Sequence, residues 1–126
     1  MKKYVFDVPL YDIDVVLLQV EGSADAEEVV SELKKYDVTD DIEQEVREAV
    51  GNDRTDGAST FWNSGLHVAV VVFYKMESEE RALVCYAHEK RHVEDRILQF
   101  CGIEDVEASA YLAGYLAKYF FELWKK

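Results

Sequence analysis

Residues 78–102 read Ser78-Glu79-Glu80-Arg81-Ala82-Leu83-Val84-Cys85-Tyr86-Ala87-His88-Glu89-Lys90-Arg91-His92-Val93-Glu94-Asp95-Arg96-Ile97-Leu98-Gln99-Phe100-Cys101-Gly102, and the fold turns on this stretch. Ser78 with two acids behind it is a helix start, because its oxygen can accept an orphan N–H and the acids sit at the positive end of the macrodipole. Gly102 is the matching stop, a residue that enters the left-handed region without strain. A helix is therefore expected from Ser78 to about Phe100. Within it, His88-Glu89-Lys90-Arg91-His92 sets two imidazoles one turn apart on one face, within reach of a single metal ion. Glu89 sits about 100° further round, near that ion but able to point past it and take a proton from an activated water. Lys90 falls on the face of Leu83, Tyr86, Val93 and Ile97, which is expected to be packed, so its ammonium must snorkel or pair with an acid such as Glu94.

Working outward, Leu66–Tyr74 is apolar on both alternating faces and is expected to be a strand covered on both sides. Gly51-Asn52-Asp53-Arg54-Thr55-Asp56-Gly57 reads as a loop that splits the chain near its middle. Lys3–Val8 and Ile13–Val20 read as strands, with Pro9 and Tyr11-Asp12 breaking them into a hairpin. Asp25 with Glu28, and Asp40 with Glu43, have capping-box spacing ahead of apolar residues at helical intervals (Val29, Val30, Leu33; then Ile42, Val46, Ala49, Val50), and Gly51 is a plausible stop. A last helix is expected over about Asp105–Leu123, with an aromatic stripe through Tyr111, Tyr115, Tyr119 and Phe120. Strands, helices, strand, helix and helix make an α+β order.

The chain has 126 residues, the size of one domain, 1–126, and its 49% hydrophobic and 13% aromatic content excludes a disordered chain. The net charge of −12 argues against non-specific binding to nucleic acid or anionic membranes, both of which need a basic surface. Residues 1–63 hold 16 acids against 6 bases, and residues 64–126 hold 10 against 8, so a protein partner of the first half would be basic. No apolar run marks a membrane span, and Asp7 interrupts any secretory core, so a soluble cytoplasmic protein is expected. Cys85 and Cys101 are too few for a disulfide framework and are read as reduced thiols.

A hydrolytic zinc site takes three protein ligands and keeps one position open. Metzincins place Gly three residues after the second histidine, where this chain has Asp95. Instead, the stretch from the Val-rich strand through His88-Glu89-Lys90-Arg91-His92, Gly102-Ile103, Glu107-Ala108-Ser109-Ala110-Tyr111 and Gly114-Tyr115 resembles the gluzincins, in particular small phage-type or mobile-element HExxH proteins. The resemblance covers about residues 57–120. It implies a minimal zincin-like fold, a small sheet packed on the HExxH helix and the Glu107 helix. It implies Zn²⁺ bound by His88, His92 and Glu107, with Glu89 as general base, and a peptide or protein substrate lying along the preceding strand as sheet edge. Tyr111, one turn after Glu107, would hydrogen-bond the oxyanion, and Tyr115 is the weaker choice. Lys90 and Arg91 depart from the pattern, whose central positions are usually uncharged.

Each of these residues also has an ordinary reading. His88 and His92 would be two polar residues on an exposed face, and Glu107 an acid favoured at any helix start. Glu104 and Asp105 compete with Glu107. Cys85, one turn before His88, is a rival ligand more often found as a small core hydrophobe. His67 is read as a satisfied strand-end histidine, and the C-terminal aromatic stripe as core, any surplus forming a homodimer interface. The function expected is zinc-dependent peptide-bond hydrolysis. The alternative is a non-catalytic zincin-fold binding protein whose acidic first half meets a basic partner.

Overall fold

Val68-Ala69-Val70-Val71-Val72-Phe73 forms β4 (Val68–Phe73), and every residue in it is buried. A strand apolar on both faces needs cover on both, and the computed structural model, which describes residues 1–126, supplies it. The hairpin strands β1 (Lys2–Val8) and β2 (Ile13–Gln19) pair antiparallel through a 3-10 turn at Pro9–Tyr11, closed by Asp12 at φ 52°. β2 then pairs parallel to β4, and β3 (Ala58–Asn63) pairs antiparallel to β4 from its other side. The sheet order is β1-β2-β4-β3.

Two helix pairs close the faces. Val16, Leu18, Val70 and Val72 pack under α1 (Ala26–Lys34) and α2 (Asp40–Gly51), joined by Val29, Leu33, Val46 and Val50. On the opposite face Val15, Leu17, Val71 and Phe73 meet α3 (Glu79–Cys101) and α4 (Val106–Glu122) through Tyr86, Val93, Ile97, Leu112, Leu116 and Phe120. The protein is thus a mixed α+β domain of three layers, with two independent apolar cores separated by the sheet. No helix is long and apolar enough to cross a membrane.

The long helix starts and stops where its sequence directs. Ser78 Oγ accepts from Arg81 N, and Gly102 closes the helix at φ 65°. The two proposed capping boxes do not form. Asp25 turns instead to Glu21 N and the Met1 ammonium, and the residue capping α2 is Thr39, with no side-chain hydrogen bond to the helix end. The Val-rich strand is central, so it cannot be the edge along which a peptide lies; the edge on that side is β3, a strand not predicted from the sequence, whose Ser59-Thr60-Phe61-Trp62 carries β-branched and aromatic residues. The aromatic stripe of α4 is largely consumed within the chain: Phe120 is buried, and Tyr119 stacks on Phe6 of β1 with ring centroids 4.3 Å apart.

Candidate metal centre

The middle of α3 faces three ways. Ala82, Tyr86, Val93 and Ile97 point into the core. Lys90 and Glu94 turn toward α4, where Lys90 Nζ pairs with the Glu94 carboxylate and lies 3.4 Å from the carbonyl of Ala113. Glu94, only 2% exposed, is also 3.4 Å from Arg91, so the one buried acid of this face neutralises the cation that the sequence places there. His88 and His92 look outward, about 160° round the helix from Lys90 by the ordinary helical advance.

The imidazoles converge. Their Nε2 atoms stand 3.1 Å apart and their rings meet edge to face at 4.8 Å. In the absence of a cation one ring donates to the other; with one, both nitrogens offer lone pairs to the same point. The Glu89 carboxylate lies beside them, and ligand atoms of His88, Glu89 and His92 all fall within 4.8 Å of one another. Glu89 is 8% exposed, and the hydroxyl of Thr60 on β3 donates to its Oε2 at 2.5 Å. One carboxylate oxygen is thereby held against the sheet, which fixes the side chain in a groove between α3 and β3. That groove encloses about 280 Å³ and is lined by Ala58, Thr60, Glu89, His92 and Arg96.

The groove opens onto unpaired backbone. The carbonyls of His67 and Phe73 accept from Asp14 N and Val20 N, so odd-numbered residues of β4 turn toward β2 and even-numbered ones toward β3. With Val68, Val70 and Val72 opposite Asn63, Phe61 and Ser59, the backbone groups of Ala58, Thr60 and Trp62 point away from the sheet. The free edge and the Glu89 carboxylate share one side of the molecule.

The other residues singled out from sequence lie elsewhere. Glu107 is exposed in the first turn of α4 and is not among the groups gathered at the histidines, because α4 packs on the Lys90 side of α3, opposite the imidazoles. Asp105 caps α4 by accepting from Ala108 N, and Glu104 is exposed in the preceding turn. Tyr111 is 78% exposed and lines an apolar groove with Leu10, Tyr11 and Tyr115, while the Tyr115 hydroxyl donates to Asp7 O at 2.7 Å. Cys85 packs at the rim of the core; burial, with Asp56 and Glu89 nearby, pushes its thiol up and disfavours the thiolate a metal needs. His67 sits at φ 52° with Nδ1 3.2 Å from Asp12 O and its ring against Phe100. Thr60 and Arg96 were missed by the sequence reading. Arg96 had a signal, since it lies one turn beyond His92; Thr60 had none, being 29 residues from Glu89. No protein-family model, curated protein or solved structure matches this chain, so the centre stands on its own geometry.

Proposed function

We propose that this chain is a zinc-dependent peptidase of minimal zincin type, with His88 and His92 holding the ion and Glu89 acting as general base. The observation that carries the reading is the pair of Nε2 atoms 3.1 Å apart beside a carboxylate fixed by Thr60. The two imidazoles supply two of the three protein ligands of a hydrolytic zinc site, and their Nε2 separation suits two ligands about 2.0–2.1 Å from one centre. When bound, zinc supplies a Lewis acid that polarises the scissile carbonyl and makes water acidic.

The chain's own residues do the rest. Glu89 accepts a proton from the attacking water on the oxygen that Thr60 leaves free, then passes it to the departing amine. An extended peptide adds to the free edge of β3 through the outward backbone groups of Ala58, Thr60 and Trp62, which aligns its carbonyl over the groove. Arg96, on the rim of the same groove, is the cation placed to favour negative charge on that carbonyl oxygen, the role the resemblance had given to Tyr111.

One feature favours the second reading, a binding protein without catalysis: Glu107, the third ligand expected on α4, is not among the groups gathered at the histidines. Metal analysis and turnover of an unstructured protein substrate separate the two. The peptidase reading expects zinc uptake near one per chain, and a Glu89→Gln variant that keeps the metal and loses turnover. Zinc uptake without turnover by the unaltered chain, or no uptake at all, overturns the peptidase reading and moves the assignment to the binding protein.

A further inference from the structure

The opposite edge of the sheet carries a second surface, independent of the metal centre. β1 has no strand beyond it. Asp14 N donates to His67 O, away from β1, so Asp14, Val16 and Leu18 turn toward β4 while Ile13, Val15, Leu17 and Gln19 turn toward β1. Their partners Val8, Phe6, Tyr4 and Lys2 complete the hairpin, and the N–H and C=O groups of Lys3, Val5 and Asp7 point outward. The Tyr115 hydroxyl, which reaches Asp7 O at 2.7 Å, is the one side-chain group bonded to this row. The side chains of Lys3, Val5 and Asp7 are exposed, Val5 at 46%, with α1 covering the inner strands and reaching Lys3 through the Glu32 ion pair.

We infer that β1 is a homodimer interface, in which the strand pairs antiparallel with β1 of a second copy about a two-fold axis through Val5. In this register Lys3 faces Asp7 of the partner, Val5 faces its own counterpart, and Tyr4 faces Phe6. Each of the outward-pointing pairs can exchange both backbone hydrogen bonds, Asp7 O using its second lone pair beside Tyr115. Charge and proline disfavour three neighbouring registers, and the register centred on Tyr4 forgoes the Lys3–Asp7 pairs. A two-fold axis at Lys3 sets lysine against lysine, one at Asp7 sets aspartate against aspartate, and one between Val5 and Asp7 brings Pro9, which has no N–H, opposite Lys3. An edge lysine ordinarily blunts a strand against pairing. Here it is matched: Asp7 makes no ion pair within the chain, and Glu32 keeps Lys35 at 2.8 Å when Lys3 turns to the partner. The two four-stranded sheets become one continuous sheet with both β3 edges at its far ends, so both metal centres stay open.

Sedimentation velocity of the full chain across a concentration series tests this. A dimer is expected, and Asp7→Lys, which sets lysine against lysine twice, should weaken it by roughly tenfold or more. The exchange Lys3→Asp with Asp7→Lys should restore it. Val5→Pro removes an outward N–H that takes no part in the hairpin, so it should leave far-UV circular dichroism unchanged and yield a monomer. A monomeric unaltered chain overturns the inference, as does a dimer that Val5→Pro and Asp7→Lys leave intact. Zinc uptake reads separately and is unaffected by either result.

Discussion

Thr60 and Glu89, from an edge strand and a helix 29 residues apart, are joined by a hydrogen bond in which the hydroxyl donates to the carboxylate. The bond makes the candidate metal centre a property of the packed molecule as well as of the HExxH helix. Without it Glu89 would be a nearly buried carboxylate with no neutral donor fixing its direction.

Thr60→Val therefore keeps the shape of the side chain and removes the donor. The variant is expected to lose about 1–2 kcal/mol of stability, read from urea denaturation. Zinc stoichiometry should stay unchanged, while turnover should fall because the base is no longer aimed. Equal turnover in both proteins would show that Thr60 does not position Glu89.

Zinc binding should depend on the imidazoles and ignore α4. His88→Ala and His92→Ala are each expected to abolish uptake, since one imidazole is a poor site alone. Glu107→Ala should change affinity by less than about twofold, as an exposed acid in the first helical turn contributes only through the local dipole. Cobalt substitution should give ligand-field bands without a sulfur charge-transfer band, because the Cys85 thiol stays protonated at the core rim. A large loss on Glu107→Ala would mean that α4 moves when metal binds.

The Lys90–Glu94 pair should be structural. Lys90→Met leaves a carboxylate that is 2% exposed with only the more distant Arg91, and is expected to cost about 3 kcal/mol. Replacing both partners by apolar residues, Lys90→Met with Glu94→Leu, should recover most of that loss. Thermal melts of the two variants provide the comparison.

Acid sensitivity should be traceable to Glu32. Burial alone would raise its carboxyl, but hydrogen bonds and charge from Lys3 and Lys35 outweigh it and hold the group below the usual glutamate range. A depressed folded-state value means its stabilisation is complete above the unfolded-state value and disappears as pH falls through the folded one. Glu32→Gln should flatten that acidic limb of the stability curve and cost up to about 1 kcal/mol at neutral pH, since both lysines are partly exposed. A pH profile identical to that of the unaltered chain would place the acid-labile group elsewhere.

The sequence alone determined most of the features that depend on near neighbours, the two capping boxes at Asp25 and Asp40 excepted. Ser78 and Gly102 bounded the long helix, the i, i+4 spacing joined His88 to His92, the unbroken apolar run Val68–Phe73 specified a strand covered on both faces, and Lys90 was bound to seek an acid such as Glu94 one turn away. Residues three or four apart on a helix meet whatever surrounds them, so such readings survive folding. Only the tertiary structure decided what lay across gaps in the chain. It placed β3, rather than the Val-rich strand, at the edge beside Glu89, and it brought Thr60 into the groove. It also left Glu107 outside the group gathered at the histidines, because the side of α3 that receives α4 is set by where Lys90, Glu94 and the core residues must be covered. The rotation of one helix about another is fixed by the summed packing of both on the sheet, and no local spacing encodes that sum.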